Sequence, residues 1–383
     1  MSNLVVGIDA WGVGHGAHSG MASYASSLLR VLPATGALDV IAYGAPGEAR
    51  PPWLAADVGW RTSARASGGR LAAISSRLRW LPGAVRADGI GVFHCPGVHV
   101  RPSFPPVPRV PCPLVVTIHD LIPWSFYGPA LPRRNRAFYA WNVRRAVHAQ
   151  AIATVSEAAA DEIAELAGAD RAAITVVTSA VDFEPRLDRA ALARLGVTEP
   201  YVLYAGSYEP RKNLIGALRA FDRFATAGAP HGLVALTEPT SGHAPAALAV
   251  LAGLASRPRV RIVHSVAEDD LRALYASASA VLFPSLAEGL GLPAIQAAAC
   301  GVPLVVSHLP VYAETVEPMA VLADGRDVAS ITAALEQAVE PEARRVAARL
   351  GPAIAARYTG ERCSADHLDL YERTVERRRD HAA

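Results

Sequence analysis

Short apolar runs alternate with longer amphipathic stretches along most of the 383-residue chain. Runs of four or five aliphatic residues with little polar alternation are typical of strands buried on both faces of a parallel sheet. They are residues 4–8, 114–118, 151–155 and 174–177 in the first half, and 201–205, 233–236, 260–263, 280–283 and 303–306 in the second. Strand–helix alternation in both halves predicts an α/β protein with two doubly wound domains.

The boundary between the two domains is predicted near residues 183–199, a stretch with proline close to each end. We expect the first domain to span 1–185 and the second to span 198–357. A charged helix over 358–380 is expected to return to the first domain.

The composition excludes several classes of protein. The 37 Lys and Arg residues against 35 Asp and Glu residues leave a net charge of +2, too small for a protein that mainly coats nucleic acid. With 51% hydrophobic residues a large core is possible, so global disorder is excluded. No apolar run reaches the ~18 residues of a membrane-spanning helix, and no secretory signal pattern opens the sequence. The four cysteines lack CxxC spacing, so reduced thiols in a cytoplasmic protein are expected.

Two segments without acidic residues are rich in arginine. Residues 61–86 contain six arginines and residues 121–150 contain five. A basic amphipathic helix can lie on an anionic membrane surface, which would suit a peripheral contact or a lipid-borne acceptor. The other interpretation is an ordinary solvated helix face beside a core stripe.

The segment 201–214 combines a buried strand with two adjacent cations. The strand ends at Gly206, and a short loop then presents Arg211 and Lys212. Ligands of open α/β folds bind at the carboxyl ends of the strands. A guanidinium can fork across two oxygens and an ammonium acts as a point charge, so this pair suits a diphosphate.

A second motif, residues 283–293, reads Phe-Pro-Ser-Leu-Ala-Glu-Gly-Leu-Gly-Leu-Pro. Gly289 and Gly291 let the backbone approach a ligand closely, and Pro293 suits the first turn of a helix. The free N–H groups and positive end of that helix favour an anion. Each motif alone fits an ordinary helix start or turn. Together, at two strand ends of one domain, they predict a phosphate-binding site.

With these motifs the chain resembles the family 4 retaining glycosyltransferases of the GT-B fold, especially their bacterial mannosyltransferase-like branch. The resemblance covers nearly the whole chain and is also carried by residues 20–24, 93–96, 116–123, 154–157 and 300–306. It implies two Rossmann-like domains facing a cleft. The second domain would bind a nucleoside diphosphate sugar and the first an acceptor.

The resemblance also implies roles for individual residues. Arg211 and Lys212 would bind the diphosphate and stabilise the charge that develops on it as it leaves. Glu288 matches the first acid of the family's Glu-X7-Glu motif and would face the transferred sugar, and His119 would hydrogen-bond that sugar. Further donor-binding positions are Gly20, Gly206, Gly289, Leu290, Gly291, Leu292 and Gln296.

No metal or other cofactor is expected, because fixed cations and a helix N-terminus can take the place of a bridging ion. The acidic run 268–270 is expected to begin a helix rather than to bind a metal.

Several positions depart from the family pattern, and Gln296 is the one that bears most directly on the donor. Gln296 stands eight residues after Glu288, where the family usually has a second glutamate that accepts from both ribose hydroxyls. Glutamine has one acceptor oxygen and a donor amide, which weakens a two-acceptor grip. Either the ribose is bound less tightly or lacks a 2′-hydroxyl, or glutamine serves one hydroxyl well enough.

We therefore predict a metal-independent hexosyltransferase that retains anomeric configuration. It would move a mannose-like sugar from a nucleoside diphosphate to a hydroxyl of a glycan, a lipid-linked glycan or a small-molecule acceptor. A catalytically silent nucleotide-sugar-binding partner and a GT-B epimerase or hydrolase are the alternatives. The presence of Glu288, Arg211, Lys212 and His119 favours an active enzyme.

Overall fold

The computed structural model describes residues 3–13, 20–64, 67–237, 242–264 and 266–382. These residues form two compact units. The first comprises the described residues up to Ala180 and from Thr359 onward, and the second is Val181–Tyr358. The first unit ends before residue 185 because the amide of Val181 donates to the carbonyl of Tyr358 at 2.8 Å, which ties that segment to the second unit.

In the described part of the first unit, seven parallel strands form one sheet in the order β3-β2-β1-β4-β5-β6-β7. The strands are β1 (Leu4–Asp9), β2 (Leu38–Tyr43), β3 (Gly59–Arg61), β4 (Val92–Cys95), β5 (Leu114–Thr117), β6 (Ala151–Thr154) and β7 (Ile174–Val176). All four predicted strands of this half are present. The sequence prediction missed β2, β3 and β4.

The described part of the second unit has a six-stranded parallel sheet in the order β10-β9-β8-β11-β12-β13. The strands are β8 (Tyr201–Ala205), β9 (Gly232–Thr237), β10 (Val260–His264), β11 (Ala280–Phe283), β12 (Leu304–Ser307) and β13 (Ala320–Ala323). The five predicted strands are confirmed and β13 is additional. From β8 the sheet is built outward in one direction through β9 and β10, and from β11 it is built outward in the opposite direction through β12 and β13. The strand order therefore reverses between β8 and β11, which are parallel neighbours paired at Val202 and Ala280.

Helices connect the strands of both sheets. They are α1 (Gly20–Val31), α2 (Gly69–Ala87), α3 (Ile122–Ser125), α4 (Arg133–Val147), α5 (Glu157–Ala167), α6 (Arg189–Leu195), α7 (Leu214–Thr226), α8 (Ala244–Ala252), α9 (Glu268–Ser277), α10 (Leu292–Ala299), α11 (Pro310–Thr315), α12 (Val328–Ala338), α13 (Pro341–Ala355) and α14 (Gly360–Ala382). Both units therefore have the doubly wound α/β architecture that the strand–helix alternation predicts.

Helix α7 shows how the second core forms. Leu214, Leu218, Phe221 and Phe224 recur at helical spacing and are all buried. They join one hydrophobic cluster with the strand residues of β8 and β9. Burial of this stripe holds α7 against the sheet and so helps to position the loop that precedes the helix.

The acidic run 268–270 forms the first turn of α9, as predicted. Glu268 lies 2.6 Å from Arg272, Asp269 lies 2.5 Å from Arg186, and Asp270 lies 2.7 Å from Arg194. Carboxylates at a helix N-terminus are favoured by the helix dipole, so these acids are accounted for by local structure.

Helix α14 packs on α1 and is joined to the first sheet by a continuous chain of buried hydrogen bonds. The chain passes through Tyr371, His94, Thr117, Tyr24, His367 and the carbonyl of Cys363, in that order. The successive donor–acceptor distances are 2.8, 2.7, 3.4, 2.8 and 2.6 Å.

The Cys363 carbonyl can only accept, so it fixes a proton on Nδ1 of His367; because burial also keeps both imidazoles neutral, the direction of the remaining hydrogen bonds follows. His367 is protonated on Nδ1 and its Nε2 accepts from the Tyr24 hydroxyl. With both rings neutral, the same direction places the proton of His94 on Nε2 and lets its Nδ1 accept from the Tyr371 hydroxyl. Burial lowers the pKa of His367 to about 4 and the pKa of His94 well below its usual value.

Acid should destabilise the first unit. A histidine with a pKa of about 4 when folded and about 6.5 when unfolded takes up a proton on unfolding. The free energy of unfolding therefore falls as the pH drops from about 6.5 towards 4, and His367 alone should account for about 2 kcal/mol between pH 7 and pH 5.

Urea unfolding at the two pH values measures this effect. In His367→Gln the amide offers one donor and one acceptor to the same partners, and the pH dependence should shrink by about 2 kcal/mol. The exposed His148→Gln serves as the control and should leave it unchanged. An equal pH dependence in wild type and His367→Gln would show that His367 is not held neutral.

Candidate active site

Two loops meet at the carboxyl edge of the second sheet, where the strand order reverses. One follows β8 and the other follows β11, the two strands on either side of the reversal. The loops are joined directly, because the amide of Leu286 donates to the carbonyl of Arg211 at 2.6 Å. The two motifs are therefore neighbours in space, at the position where open α/β sheets bind ligands.

The loop after β8 is a short helical turn, Pro210–Lys212, that ends at Asn213. Asn213 adopts the left-handed conformation with φ of 57°, and its Oδ1 caps α7 by accepting from the amide of Gly216 at 3.2 Å. Its Nδ2 donates to the carbonyls of Pro284 at 3.0 Å and Gly325 at 2.7 Å. One amide side chain thus fixes the cation loop to the loops after β11 and β13.

The structure brings Arg211, Lys212 and Glu288 together. Lys212 Nζ lies 2.6 Å from Glu288 Oε1, and Arg211 Nη1 lies 3.3 Å from Glu288 Oε2. Only 13% of the Lys212 side chain and 6% of the Glu288 side chain are exposed. Leaving one of these groups buried without its partner would be strongly unfavourable, so the three form a unit.

Glu209 completes the charge balance of the site. Its Oε2 accepts from Arg211 Nε at 2.8 Å, so two cations face two carboxylates. Burial lowers the pKa of the Lys212 ammonium and the Arg211 charge acts in the same direction, whereas the Glu288 carboxylate raises that pKa. The Lys212 ammonium therefore depends on a nearby anion to remain charged.

Two glycines of the site are required by the local packing. A Cβ at Gly206 would lie 2.6 Å from the hydroxyl of Tyr204. Gly291 has φ of 82°, and a Cβ there would lie 2.6 Å from Tyr312 Cε1. Both positions therefore need glycine for the fold itself, independently of any close approach to a ligand.

Helix α10 begins directly after Gly291 and carries Pro293 in its first turn, as predicted. Leu290 is buried under the loop, whereas Leu292 is exposed. The side chain of Gln296 is partly exposed on α10, and no hydrogen bond from its amide group to another described residue is found. The amide is therefore available to a ligand.

A cavity of about 320 Å³ lies at the carboxyl ends of β11, β12 and β13. Leu286, Ser307 and Arg326 are among its lining residues. The Ser307 hydroxyl is buried and has no hydrogen-bond partner in the described part of the chain. Because Leu286 belongs to the loop that carries Glu288, this polar cavity adjoins the site.

Two of the predicted site residues, His119 and Gly20, belong to the first unit. His119 follows β5, and its Nε2 donates to the carbonyl of Pro96 at 2.9 Å. Burial lowers the pKa of His119. The neutral ring thus keeps Nδ1 as an acceptor, and it contacts Tyr24 edge-on at 4.7 Å. Gly20 is the first residue of α1, and the loop before it lies outside the described residues.

Three residues that shape the site were missed by sequence reasoning. Glu209 stands inside the first motif, two positions before Arg211. An acid so close to two cations was a usable signal of an ion pair. Tyr204 donates to the carbonyl of Lys212 at 3.1 Å and so holds the cation loop. Tyr312 reaches Gly291 from α11, a contact that only the tertiary fold creates.

The comparison with known proteins agrees with this geometry. A model described as Glycosyltransferase Family 4 matches residues 18–185, and one described as Glycosyl transferases group 1 matches residues 199–340. O-antigen chain mannosyltransferase B of Escherichia coli is 31% identical over 274 residues, which are 67% of this chain and 70% of that protein. The chain belongs to the family 4 glycosyltransferases.

Other similarities extend this assignment. A serotype-specific mannosyltransferase, WbdA of Escherichia coli, is 28% identical to this glycosyltransferase over 62% of the chain, and the match covers 30% of WbdA. The solved sucrose-phosphate synthase of Thermosynechococcus elongatus has a TM-score of 0.77 at 18% identity, covering 97% of this chain and 99% of that one. That likeness confirms the predicted GT-B fold.

In the described part of this glycosyltransferase, no helix has both the length and the apolar character that crossing a lipid bilayer requires.

Proposed function

We propose that this glycosyltransferase transfers a hexosyl group, mannose or a related sugar, from a nucleoside diphosphate to a hydroxyl acceptor with retention of configuration. The observation that carries the proposal is the buried contact of Lys212 and Arg211 with Glu288 at the β8/β11 reversal. The mannosyl group is favoured by the names of the two relatives, O-antigen chain mannosyltransferase B and WbdA. The acceptor is a glycan, a lipid-linked glycan or a small molecule.

The diphosphate of the donor would take the place of the Glu288 carboxylate at the two cations. Glu288 accepts one hydrogen bond from Lys212 Nζ and one from Arg211 Nη1. A diphosphate carries more negative charge and several oxygens, so it can engage the ammonium and the guanidinium fork at once. Glu288 is then released to face the sugar.

Bond breaking would follow from this exchange. The bond between the anomeric carbon and the diphosphate oxygen breaks, and its electron pair stays on that oxygen. Lys212 and Arg211 stabilise the developing charge. The acceptor oxygen bonds to the same face of the anomeric carbon, and its proton passes to the departing phosphate, so no protein base is assigned. The two fixed cations would supply the positive charge, so the proposed reaction needs no metal or other cofactor.

His119 would act as a hydrogen-bond acceptor for a sugar hydroxyl. Its Nε2 proton is committed to the Pro96 carbonyl, so the lone pair on Nδ1 is the group that remains for a ligand. The low pKa of the buried ring keeps that lone pair available at neutral pH.

A peripheral membrane contact is also proposed, and it is assigned to residues 121–150. In the segment 61–86, the guanidinium of Arg77 is buried against Asp9 at 2.6 Å, and Arg61 lies 3.1 Å from Asp88. These side chains are used by the fold. The arginines of α4 have no such carboxylate partners among the described residues.

Removing either cation should abolish most of the turnover. In Lys212→Ala and Arg211→Ala we expect kcat with a nucleoside diphosphate sugar to fall. The decrease should correspond to a loss of about 3–4 kcal/mol of transition-state stabilisation. Arg219→Ala removes an exposed arginine of α7 and is the matched control. Product analysis in the same assay separates transfer from epimerisation and hydrolysis. Near-normal turnover of Lys212→Ala would refute the assigned role.

Glu288→Gln should bind a nucleoside diphosphate more tightly and yet turn over more slowly. The variant removes the anion that competes for the cations, so the Kd should fall about tenfold, or about 1.4 kcal/mol. Calorimetric titration measures Kd, and an initial-rate assay measures kcat. Glu209→Gln, which removes a more exposed partner of Arg211 alone, should change Kd less. Weaker diphosphate binding by Glu288→Gln would contradict the exchange.

Gln296→Glu should restore a preference for ribonucleotides over 2′-deoxyribonucleotides. The carboxylate offers two acceptor oxygens where the amide offers one. Titration of wild type and variant with uridine diphosphate and its 2′-deoxy counterpart gives the ratio of Kd values. An unchanged ratio would mean that position 296 does not bind the ribose.

A further inference from the structure

Positive charge is concentrated in one stretch of the first unit. Residues 89–156 contain seven arginines and a single acid, Asp120, although the whole chain has a net charge of only +2. Asp120 itself accepts a hydrogen bond from the backbone amide of Ile122 at 3.1 Å. The excess positive charge of this stretch is therefore not neutralised within it.

Part of this charge lines a groove of about 560 Å³, here called the arginine groove. It is formed by the loop 107–114, the end of α4 and residues 148–150. Leu114 begins β5, and Gln150 directly precedes β6, so the groove lies at the amino ends of these parallel strands. His119 follows the opposite, carboxyl end of β5. The arginine groove is therefore separate from the predicted sugar-binding position of this unit.

Hydrogen bonds within the first unit hold the walls of the arginine groove in place. The Asn142 Oδ1 accepts from the amide of Val107 at 2.7 Å. Arg145 donates to the Val107 carbonyl through Nη2 at 2.6 Å and through Nε at 3.1 Å. On the other side, Gln150 Oε1 accepts from the amide of Leu114 at 2.9 Å. These contacts hold the loop against α4.

Within the described parts of the chain, the cations of the arginine groove have no carboxylate partner. Arg109 and Arg144 are exposed, and no acidic residue lines the groove. Partial burial and the facing charge of Arg109 both lower the pKa of Arg145. Among the described residues, no ion pair of Arg109, Arg144 or Arg145 with an acid is found. Like charges held together without counter-charges are a mark of an anion site.

An aromatic surface borders these cations. Trp141 is 47% exposed, and the Arg145 guanidinium lies 5.2 Å from its ring centre. Phe138 lies 5.8 Å from the same indole. The groove thus offers a polar floor and an apolar rim, which suits a ligand with a charged group on an organic body.

We propose that the arginine groove binds a phosphate-bearing ligand at a site distinct from the donor site of the second unit. Guanidinium groups match phosphate oxygens in pairs, and three of them converge here with His148 at the edge. The phosphate belongs either to a soluble phosphorylated molecule or to an anionic lipid headgroup. The charge and shape of the groove are the same for both sources.

Calorimetric titration with inorganic pyrophosphate tests the site. All proteins carry Lys212→Ala, so that the second unit contributes little binding. We expect saturable binding that weakens at least tenfold in Arg109→Gln/Arg144→Gln and less than twofold in Arg219→Gln/Arg223→Gln, a pair on α7 of the second unit. Both pairs remove two positive charges at exposed positions, so the control has the same change in net charge.

Sedimentation with vesicles identifies the source of the phosphate. Binding to phosphatidylglycerol vesicles but not to phosphatidylcholine vesicles, lost in the groove pair alone, supports the site with a lipid headgroup as its ligand. Pyrophosphate binding without vesicle binding supports the site with a soluble ligand. Absence of both, or an equal loss of pyrophosphate binding in the two pairs, would overturn the proposal.

Discussion

The contact of Lys212 with Glu288 is the interaction on which the proposed function of the second unit depends. It joins the loops after β8 and β11 across the point where the strand order reverses. Each charge is largely buried, so neither is stable there without the other or a substitute. A site that must always contain an anion beside Lys212 is well suited to exchange one anion for another. The account of donor binding follows from this constraint.

Much of the site was predictable because its residues are grouped in sequence. Arg211 and Lys212 follow one apolar run directly and Glu288 follows another, and parallel strands present their carboxyl ends at one edge. The sequence could not reveal that Glu288 pairs with both cations, since that pairing depends on distances between loops. The packing need for glycine at Gly206 and Gly291 was likewise not predictable, because Tyr204 and Tyr312 approach these positions only in the folded unit.

The strands, too, divide into those that the local sequence predicts and those that depend on distant partners. β5, β8 and β11 are uninterrupted apolar runs and were predicted, whereas β2 contains Asp39 and β4 contains a buried histidine, His94. That histidine is neutral and hydrogen-bonded on both nitrogens, a state that depends on Tyr371 from the distant helix α14. A polar residue whose partner is far away in sequence gives no local signal that it belongs to a strand.

Some cations of the protein are paired with a buried carboxylate, whereas others are not. Arg77 is buried with Asp9, and Lys212 is buried with Glu288, so these cations are compensated inside the fold. Arg109 and Arg144, by contrast, form no ion pair with any acidic residue that the structure describes. A crystal structure of the complex with a nucleoside diphosphate tests the central claim most directly. We predict the phosphates within hydrogen-bond distance of Lys212 Nζ and the Arg211 guanidinium, with Glu288 no longer paired to Lys212. Phosphates bound elsewhere, with the Lys212–Glu288 pair intact, would contradict the account.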